Sequence, residues 1–113
     1  MSDLYSGIAE LNDHTLESTL SAADRPVLID FWAEWCGPCQ ALGPVIEQLA
    51  RDEGARVLVA KVNVDRSPVA ARSFNVRSIP TVVLYRKGKA VETLVGLQPK
   101  SAYSNAISRA LAT

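Results

Sequence analysis

The sequence predicts an α/β fold built on a mixed sheet, and three observations carry that reading. Two near-continuous apolar runs, residues 27–32 (Val-Leu-Ile-Asp-Phe-Trp) and residues 56–64 (RVLVAKVNV), are bounded by turn residues, as strands buried on both faces are. Between them Leu42, Val45, Ile46, Leu49 and Ala50 follow an i, i+3, i+4, i+7, i+8 pattern, the period of a helix with one apolar face. Farther on, residues 81–85 and 90–95 flank Arg86-Lys87-Gly88-Lys89, a hairpin signature. Strand–helix–strand alternation implies parallel strands joined by right-handed crossovers, and the closing hairpin adds an antiparallel pair. The predicted order is β-α-β-α-β-α-β-β-α, and a chain of 113 residues is expected to form one domain over 1–113.

Taken in order, the chain supports each element. Residues 8–11 form a short strand. Asn12 can cap the helix that follows, with Leu11 at N′ and Leu16 at N4 in the spacing of a hydrophobic staple; Leu20 continues that face and Asp24-Arg25-Pro26 breaks it. The 27–32 strand leads into the long helix, where Pro44 is expected to introduce a kink because its ring denies a hydrogen bond to the Gln40 carbonyl. Gly54 stops that helix. After the 56–64 strand, Ser67-Pro68 reads as an N-cap followed by proline at N1, opening a short helix that ends near Phe74. Pro99 opens the last helix, with Tyr103, Ile107, Ala110 and Leu111 on one face.

Composition narrows the chemistry. Nearly half of the residues are apolar (48%), enough for a packed core. Twelve basic side chains balance twelve acidic ones, which argues against wholesale attraction to nucleic acid or an anionic membrane. The neutrality hides a division: residues 1–53 carry ten acidic and two basic side chains, and residues 54–113 carry ten basic and two acidic. The first seven residues (MSDLYSG) contain neither a basic nor an apolar leader region, and no apolar run approaches the roughly 18 residues of a membrane span. The expectation is an intracellular, cytoplasmic protein, although a secreted chain whose signal had been removed would look the same. Two cysteines, Cys36 and Cys39, and one histidine, His14, cannot build a multi-disulfide scaffold or complete a four-ligand zinc site within one chain. No metal site is expected, and His14 reads as a surface residue.

Both cysteines fall in Trp35-Cys36-Gly37-Pro38-Cys39, where a buried strand turns into a helix. In an open α/β sheet the carboxyl end of a strand is where ligands meet the protein. Cys36 at the helix start would meet unpaired N–H groups and the positive end of the helix dipole, which favour a thiolate. Cys39, one turn on, lies on the same face at a spacing compatible with a disulfide. Gly37 lets the loop close, and Pro38 sits in the first turn, where its missing N–H costs little. An exposed, ionised Cys36 would attack a disulfide; a more buried Cys39 would then attack the mixed disulfide and release the product. A pair of inert core cysteines, or half of a zinc knuckle, is the bland alternative. The strand-to-helix setting makes the redox reading the more specific one.

With these residues in view, the chain resembles the thioredoxin family. The stretch Asp30-Phe31-Trp32-Ala33-Glu34-Trp35-Cys36-Gly37-Pro38-Cys39 is similar to that family's active-site signature without a gap, and Ile79-Pro80-Thr81, Gly88 and Val95-Gly96 are similar to its other landmarks. The resemblance extends over about residues 8–112. It implies a thioredoxin fold, a five-stranded mixed sheet flanked by four helices. It also implies a protein-disulfide reductase working by dithiol–disulfide exchange through a Cys36–Cys39 redox disulfide. Such a protein binds no cofactor of its own; a flavin-containing thioredoxin reductase (FAD) recharges it from NADPH, and disulfide-containing proteins are its clients. A monomer with no nucleic-acid or membrane partner is expected.

The resemblance also assigns supporting roles. Asp30 interrupts an apolar strand and shares a face with Leu28 and Trp32, so burial should raise its pKa; it would accept the Cys39 proton, directly or through a water. Lys61 interrupts the second buried strand and would tune Asp30, where the plain alternative is a lysine snorkelling to solvent. Pro80 would be cis and pack against the cysteines, although trans is the base expectation. The Ile79-Pro80-Thr81 segment and the Val95-Gly96 edge would then bind an extended client by strand addition, with Trp35 as a flat contact surface. A non-catalytic binding or chaperone-like subunit using the surface around Trp35, Ile79 and Gly96 is the competing function. One departure stands out: the family often carries Lys or Arg after the second cysteine, and this chain has Gln40, which bears on reactivity and partner preference.

Overall fold

A computed structural model describes residues 7–113; the expectation drawn from residues 1–6, the absence of a leader pattern, lies outside the described residues. Five strands and four helices alternate in chain order: β1 (Ile8–Leu11), α1 (Leu16–Ala22), β2 (Val27–Trp32), α2 (Gly37–Glu53), β3 (Leu58–Asn63), α3 (Pro68–Ser73), β4 (Thr81–Arg86), β5 (Lys89–Val95) and α4 (Lys100–Ala112). The strands form one sheet in the order β1-β3-β2-β4-β5. β3 pairs in parallel with β1 and β2, and β4 pairs antiparallel with β2 and β5. The mixed sheet therefore has the composition that the alternation and the hairpin predict.

β2 is the central strand and is buried almost throughout, which is why its sequence is apolar on both faces. Its even-numbered residue Leu28 packs with Val59, Val82 and Leu84 against Leu42, Ile46 and Leu49 of α2 and Tyr103 and Ile107 of α4. Its odd-numbered residues Val27, Ile29 and Phe31 pack with Ala60, Val62 and Val83 against Leu16 of α1 and Ala70 of α3. The sheet is thus sandwiched between two helical layers. Alternation along the pleat decides which layer each side chain meets. Asp30 lies on the same face as Leu28, toward α2 and α4.

The starts of the helices show what the sequence conveys and what it hides. The reciprocal bonds of a capping box form at Asn12: its Oδ1 accepts the Thr15 N–H (3.2 Å), and Thr15 Oγ1 accepts the Asn12 N–H (3.0 Å). The regular helix begins only at Leu16, one turn later than the cap predicts, because residues 13–15 form a hydrogen-bonded turn on the Asn12 carbonyl. Leu11 and Leu16 are both buried in the same cluster, as a staple requires. α2 runs on through Pro44. Ser67 is the N-cap of α3 and Pro68 its first residue, but the serine side chain makes no capping bond. Asp13, more than fifty positions earlier in the chain, caps the helix instead: its carboxylate oxygens accept the N–H groups of Ala70 (2.7 Å) and Val69 (3.2 Å). Pro99 stands just ahead of α4 in extended backbone.

Strand ends differ from expectation by one or two residues. Arg56 and Val57 donate to the Glu53 carbonyl, so they finish the turn after α2 rather than open β3. The hairpin turns on Lys87 (φ 54°) and Gly88 (φ 88°). Two successive positive φ values give a turn whose twist matches the strands it joins.

Candidate functional site

The carboxyl end of β2 delivers the chain through Ala33, Glu34 and Trp35 to Cys36, the N-cap of α2. Cys36 and Cys39 are joined as a disulfide with a Cα–Cα distance of 5.2 Å. The Cys36 sulfur accepts the Cys39 N–H at 3.2 Å. It occupies the place a serine or aspartate oxygen takes in an ordinary helix cap. Exposure does not separate the two residues as expected: Cys36 and Cys39 are both buried, 4% and 5% exposed. They form a small cluster with Ala33, against which Trp32, Val64 and Ile79 pack. What distinguishes Cys36 is its position at the helix N-terminus and its contact with the Ile79 carbonyl oxygen, 3.8 Å from its sulfur.

Three loops converge on the cysteines. The Ile79–Pro80 peptide is cis and lies just before β4. The Pro80 carbonyl accepts the Gly96 N–H at 2.8 Å, while Thr81 pairs with Val95 across β4 and β5 and its hydroxyl donates to the Ser78 carbonyl at 2.6 Å. Gly96 takes a φ of +84°, and no atom lies near the position its Cβ would occupy, so the edge there is open. Among the described residues the Ile79 N–H makes no hydrogen bond. Gly37 and Pro38 are exposed on the first turn of α2.

Trp35 is 71% exposed, and its ring is held in place by an Nε1–H bond to Asp65 Oδ2 at 2.8 Å. Beside it lies an open apolar groove of about 370 Å³, lined by Trp35, Val64, Ala71, Val76 and Ile79 with Arg77 and Ser78 at its rim. Asp65, Val64, Ala71 and Val76 were not legible as site residues. They are ordinary strand-end, loop and helix residues in the sequence, and only the folding of the loops after β2, after β3 and before β4 onto one end of the sheet brings them to Trp35. Gln40, the residue after the second cysteine, donates from Nε2 to the Glu34 carbonyl at 3.0 Å, so it ties the loop to α2.

Two residues before the carboxyl end of β2, Asp30 is 1% exposed and its Oδ1 has no hydrogen-bond partner. Burial pushes its pKa up to about 6; Lys61 opposes that shift and Glu10 adds to it. Lys61 stands beside Asp30 in the β2–β3 register. Its ammonium lies over the Trp32 ring, 4.4 Å from the centroid, in a cation–π contact, and makes no ion pair with Asp30 among the described residues. Trp32 is half-buried, and its Nε1 is likewise unpartnered. His14 is exposed on the turn before α1, away from the cysteines. Among the described residues no group of three or more His, Cys, Asp or Glu could hold a metal ion, and no helix is long and apolar enough to cross a membrane.

A cysteine pair closing the first turn of a helix at the carboxyl end of a central strand, with a cis proline alongside and a buried carboxylate in that same strand, defines a thiol–disulfide oxidoreductase. The comparisons place it more narrowly: the thioredoxin family model matches residues 7–109, and the chain belongs to the thioredoxin family. It is 47% identical over 92 residues to a thioredoxin of Chlorobaculum thiosulfatiphilum, covering 81% of this chain and 85% of that one. It is 41% identical over 104 residues to a thioredoxin of Haemophilus influenzae, covering 92% and 97%. Against the chloroplastic M-type thioredoxin of Brassica napus it is 39% identical over 96% of its own length and spans only 62% of that protein. A solved mutant thioredoxin from Halobacterium salinarum superposes with a TM-score of 0.84 at 38% identity, covering 92% of this chain and 90% of that one.

Proposed function

We propose that this chain is a general protein-disulfide reductase, working as a monomeric domain over 1–113 in which Cys36 is the attacking thiol and Cys39 the resolving one. The observation that carries the assignment is the cap geometry. A Cys36 thiolate would accept the Cys39 N–H and face the positive end of a 17-residue helix, and both favour the ionised form. The thiolate attacks one sulfur of a client disulfide; a Cys36–client bond forms, and the client's other sulfur leaves as a thiolate. Cys39 then loses its proton to Asp30, whose pKa near neutrality suits a base at this step. The Cys39 sulfur attacks Cys36, the Cys36–Cys39 bond forms, and the Cys36–client bond breaks. The client takes up two electrons and two protons overall, and this chain retains the disulfide.

Gly37 and Pro38 shape the turn that presents Cys36. The unpaired Ile79 N–H, with Pro80, Thr81, Val95 and Gly96, gives an extended client segment an edge to pair with, and Trp35 with its groove receives an apolar side chain. Lys61 keeps Asp30 from rising further. Return to the dithiol falls to a thioredoxin reductase that supplies electrons from NADPH through FAD. The bacterial relatives favour a cytoplasmic setting, though chloroplastic relatives match as well.

A coupled assay tests the reading: NADPH, a thioredoxin reductase, this protein and a disulfide-bonded protein substrate. Steady NADPH oxidation is expected, and it should vanish in the Cys36→Ser/Cys39→Ser variant. Absence of turnover in the unaltered protein, or a cellular role that survives loss of both thiols, would favour the binding-subunit reading instead.

A further inference from the structure

The sequence places Tyr103 on the apolar face of the last helix, and its ring is fully buried in the layer that also holds Leu28, Leu42, Ile46 and Leu84. A phenylalanine would fill that space as well. The hydroxyl does something else. It turns toward the loop between β5 and α4, accepts the Gln98 N–H at 3.1 Å and donates to the Gly96 carbonyl at 3.3 Å. Among the described residues neither of those backbone groups has another partner. Gly96, with no side chain and a φ of +84°, has nothing of its own to hold its backbone in place. Its N–H is fixed to the Pro80 carbonyl at 2.8 Å and its C=O to Tyr103. Both of its backbone groups are thus anchored, one on the cis-proline loop and the other on α4. Gln98 adds to this brace, its Nε2 donating to the Val95 carbonyl at 3.0 Å.

We propose that Tyr103 is a positioning residue for client binding: its hydroxyl holds Gly96 and Gln98 in the conformation that presents an unobstructed edge next to the cis proline. The proposal rests on the reading of Val95 and Gly96 as part of the surface that pairs with an extended client. A glycine-containing loop without such a brace has several conformations close in energy, and a client that fits only one of them loses affinity in proportion to its population. A buried hydroxyl with both of its bonds made removes that freedom and leaves no polar atom unsatisfied. Both bonds of Tyr103 go to the loop, so its effect falls on client affinity and not on thiol chemistry.

Tyr103→Phe keeps the ring in the core and removes only the hydroxyl. In the coupled assay, with thioredoxin reductase in excess, KM for a disulfide-bonded protein substrate should rise about 2- to 10-fold, the change equivalent to one lost hydrogen bond. kcat should stay at the wild-type value, and so should the rate with hydroxyethyl disulfide, which has no peptide backbone to pair. The Gln98 amide, deprived of its acceptor, should exchange faster with solvent. Ile107→Val, a truncation one turn along α4 in the same core, should lower the denaturant midpoint and leave KM unchanged. An unchanged KM in Tyr103→Phe, an equal loss with hydroxyethyl disulfide, or a KM that rises as much in Ile107→Val would overturn the proposal. The unaltered protein tests the underlying reading separately. If its kcat/KM for the protein substrate is no higher than for hydroxyethyl disulfide, the edge reading falls and the proposal with it. A wild-type preference for the protein substrate that Tyr103→Phe retains in full defeats the proposal alone.

Discussion

Asp30 is the residue at which stability and the proposed chemistry pull in opposite directions. A buried carboxylate with an unpartnered oxygen is costly, and its pKa of about 6 against an unperturbed 3.8 measures that cost. For a carboxyl raised in the folded state, the favourable contribution is complete below the unfolded value and is lost as pH climbs from about 4 through 6. Above that window the charged form destabilises the fold by about 3 kcal/mol. Asp30→Asn is therefore expected to raise stability by about 2–3 kcal/mol at pH 7 and by almost nothing at pH 4, read from denaturant midpoints at the two pH values. The same variant should slow mixed-disulfide release while leaving its formation near the wild-type rate, measured by rapid-quench trapping. For the thiols, Cys36 should alkylate in the reduced protein well below the pH at which a free thiol reacts, and Cys39 should resist. Equal rates would remove the assignment of attacker and resolver. Since the two cysteines are equally buried as a disulfide, that difference has to come from the helix cap and not from exposure.

At the level of elements, the short α3 shows how a helix start can depend on a distant residue. Its six residues are too few to be stable alone, and Ser67 makes no capping bond, so the two bonds from Asp13 hold its first turn. Asp13→Ala should cost about 1 kcal/mol, seen as a lowered denaturant midpoint, whereas Ser67→Ala should not act through capping. α3 also carries Ala71 to the groove beside Trp35, so Asp13→Ala should weaken client binding (a raised KM in the coupled assay) more than it slows the chemistry. Helix existence was legible because apolar period and breakers are local properties. The start of α1 and the cap of α3 were not, because they are settled by which turn bonds to Asn12 and by a carboxylate that arrives through folding.

Across the whole molecule, the linear division of charge is undone by topology. β1 and β2, from the acidic half, enclose β3 from the basic half, and ion pairs join the halves at Glu34–Arg66, Asp52–Lys100 and Glu53–Arg56. These pairs are largely exposed, and such pairs are worth about 0–1 kcal/mol each. Raising salt from 0.1 to 1 M should therefore lower stability by no more than about 2–3 kcal/mol in total. A larger loss in urea titrations at the two salt concentrations would mean that the halves are held together electrostatically rather than through the two apolar layers.

The sequence by itself determined the alternation of elements, the buried central strand, the hairpin and the placement of both cysteines where a strand becomes a helix. Those follow from periodicity and turn chemistry within a few residues of each position. Only the tertiary structure decided that Asp65 holds Trp35, that Val64, Ala71 and Val76 line the groove beside it, and that Asp13 caps α3. It also decided that the Lys61 ammonium lies over the Trp32 ring and makes no ion pair with Asp30 among the described residues. Each of these contacts joins residues far apart in the chain, and the order β1-β3-β2-β4-β5 sets which strands, and so which charges, become neighbours.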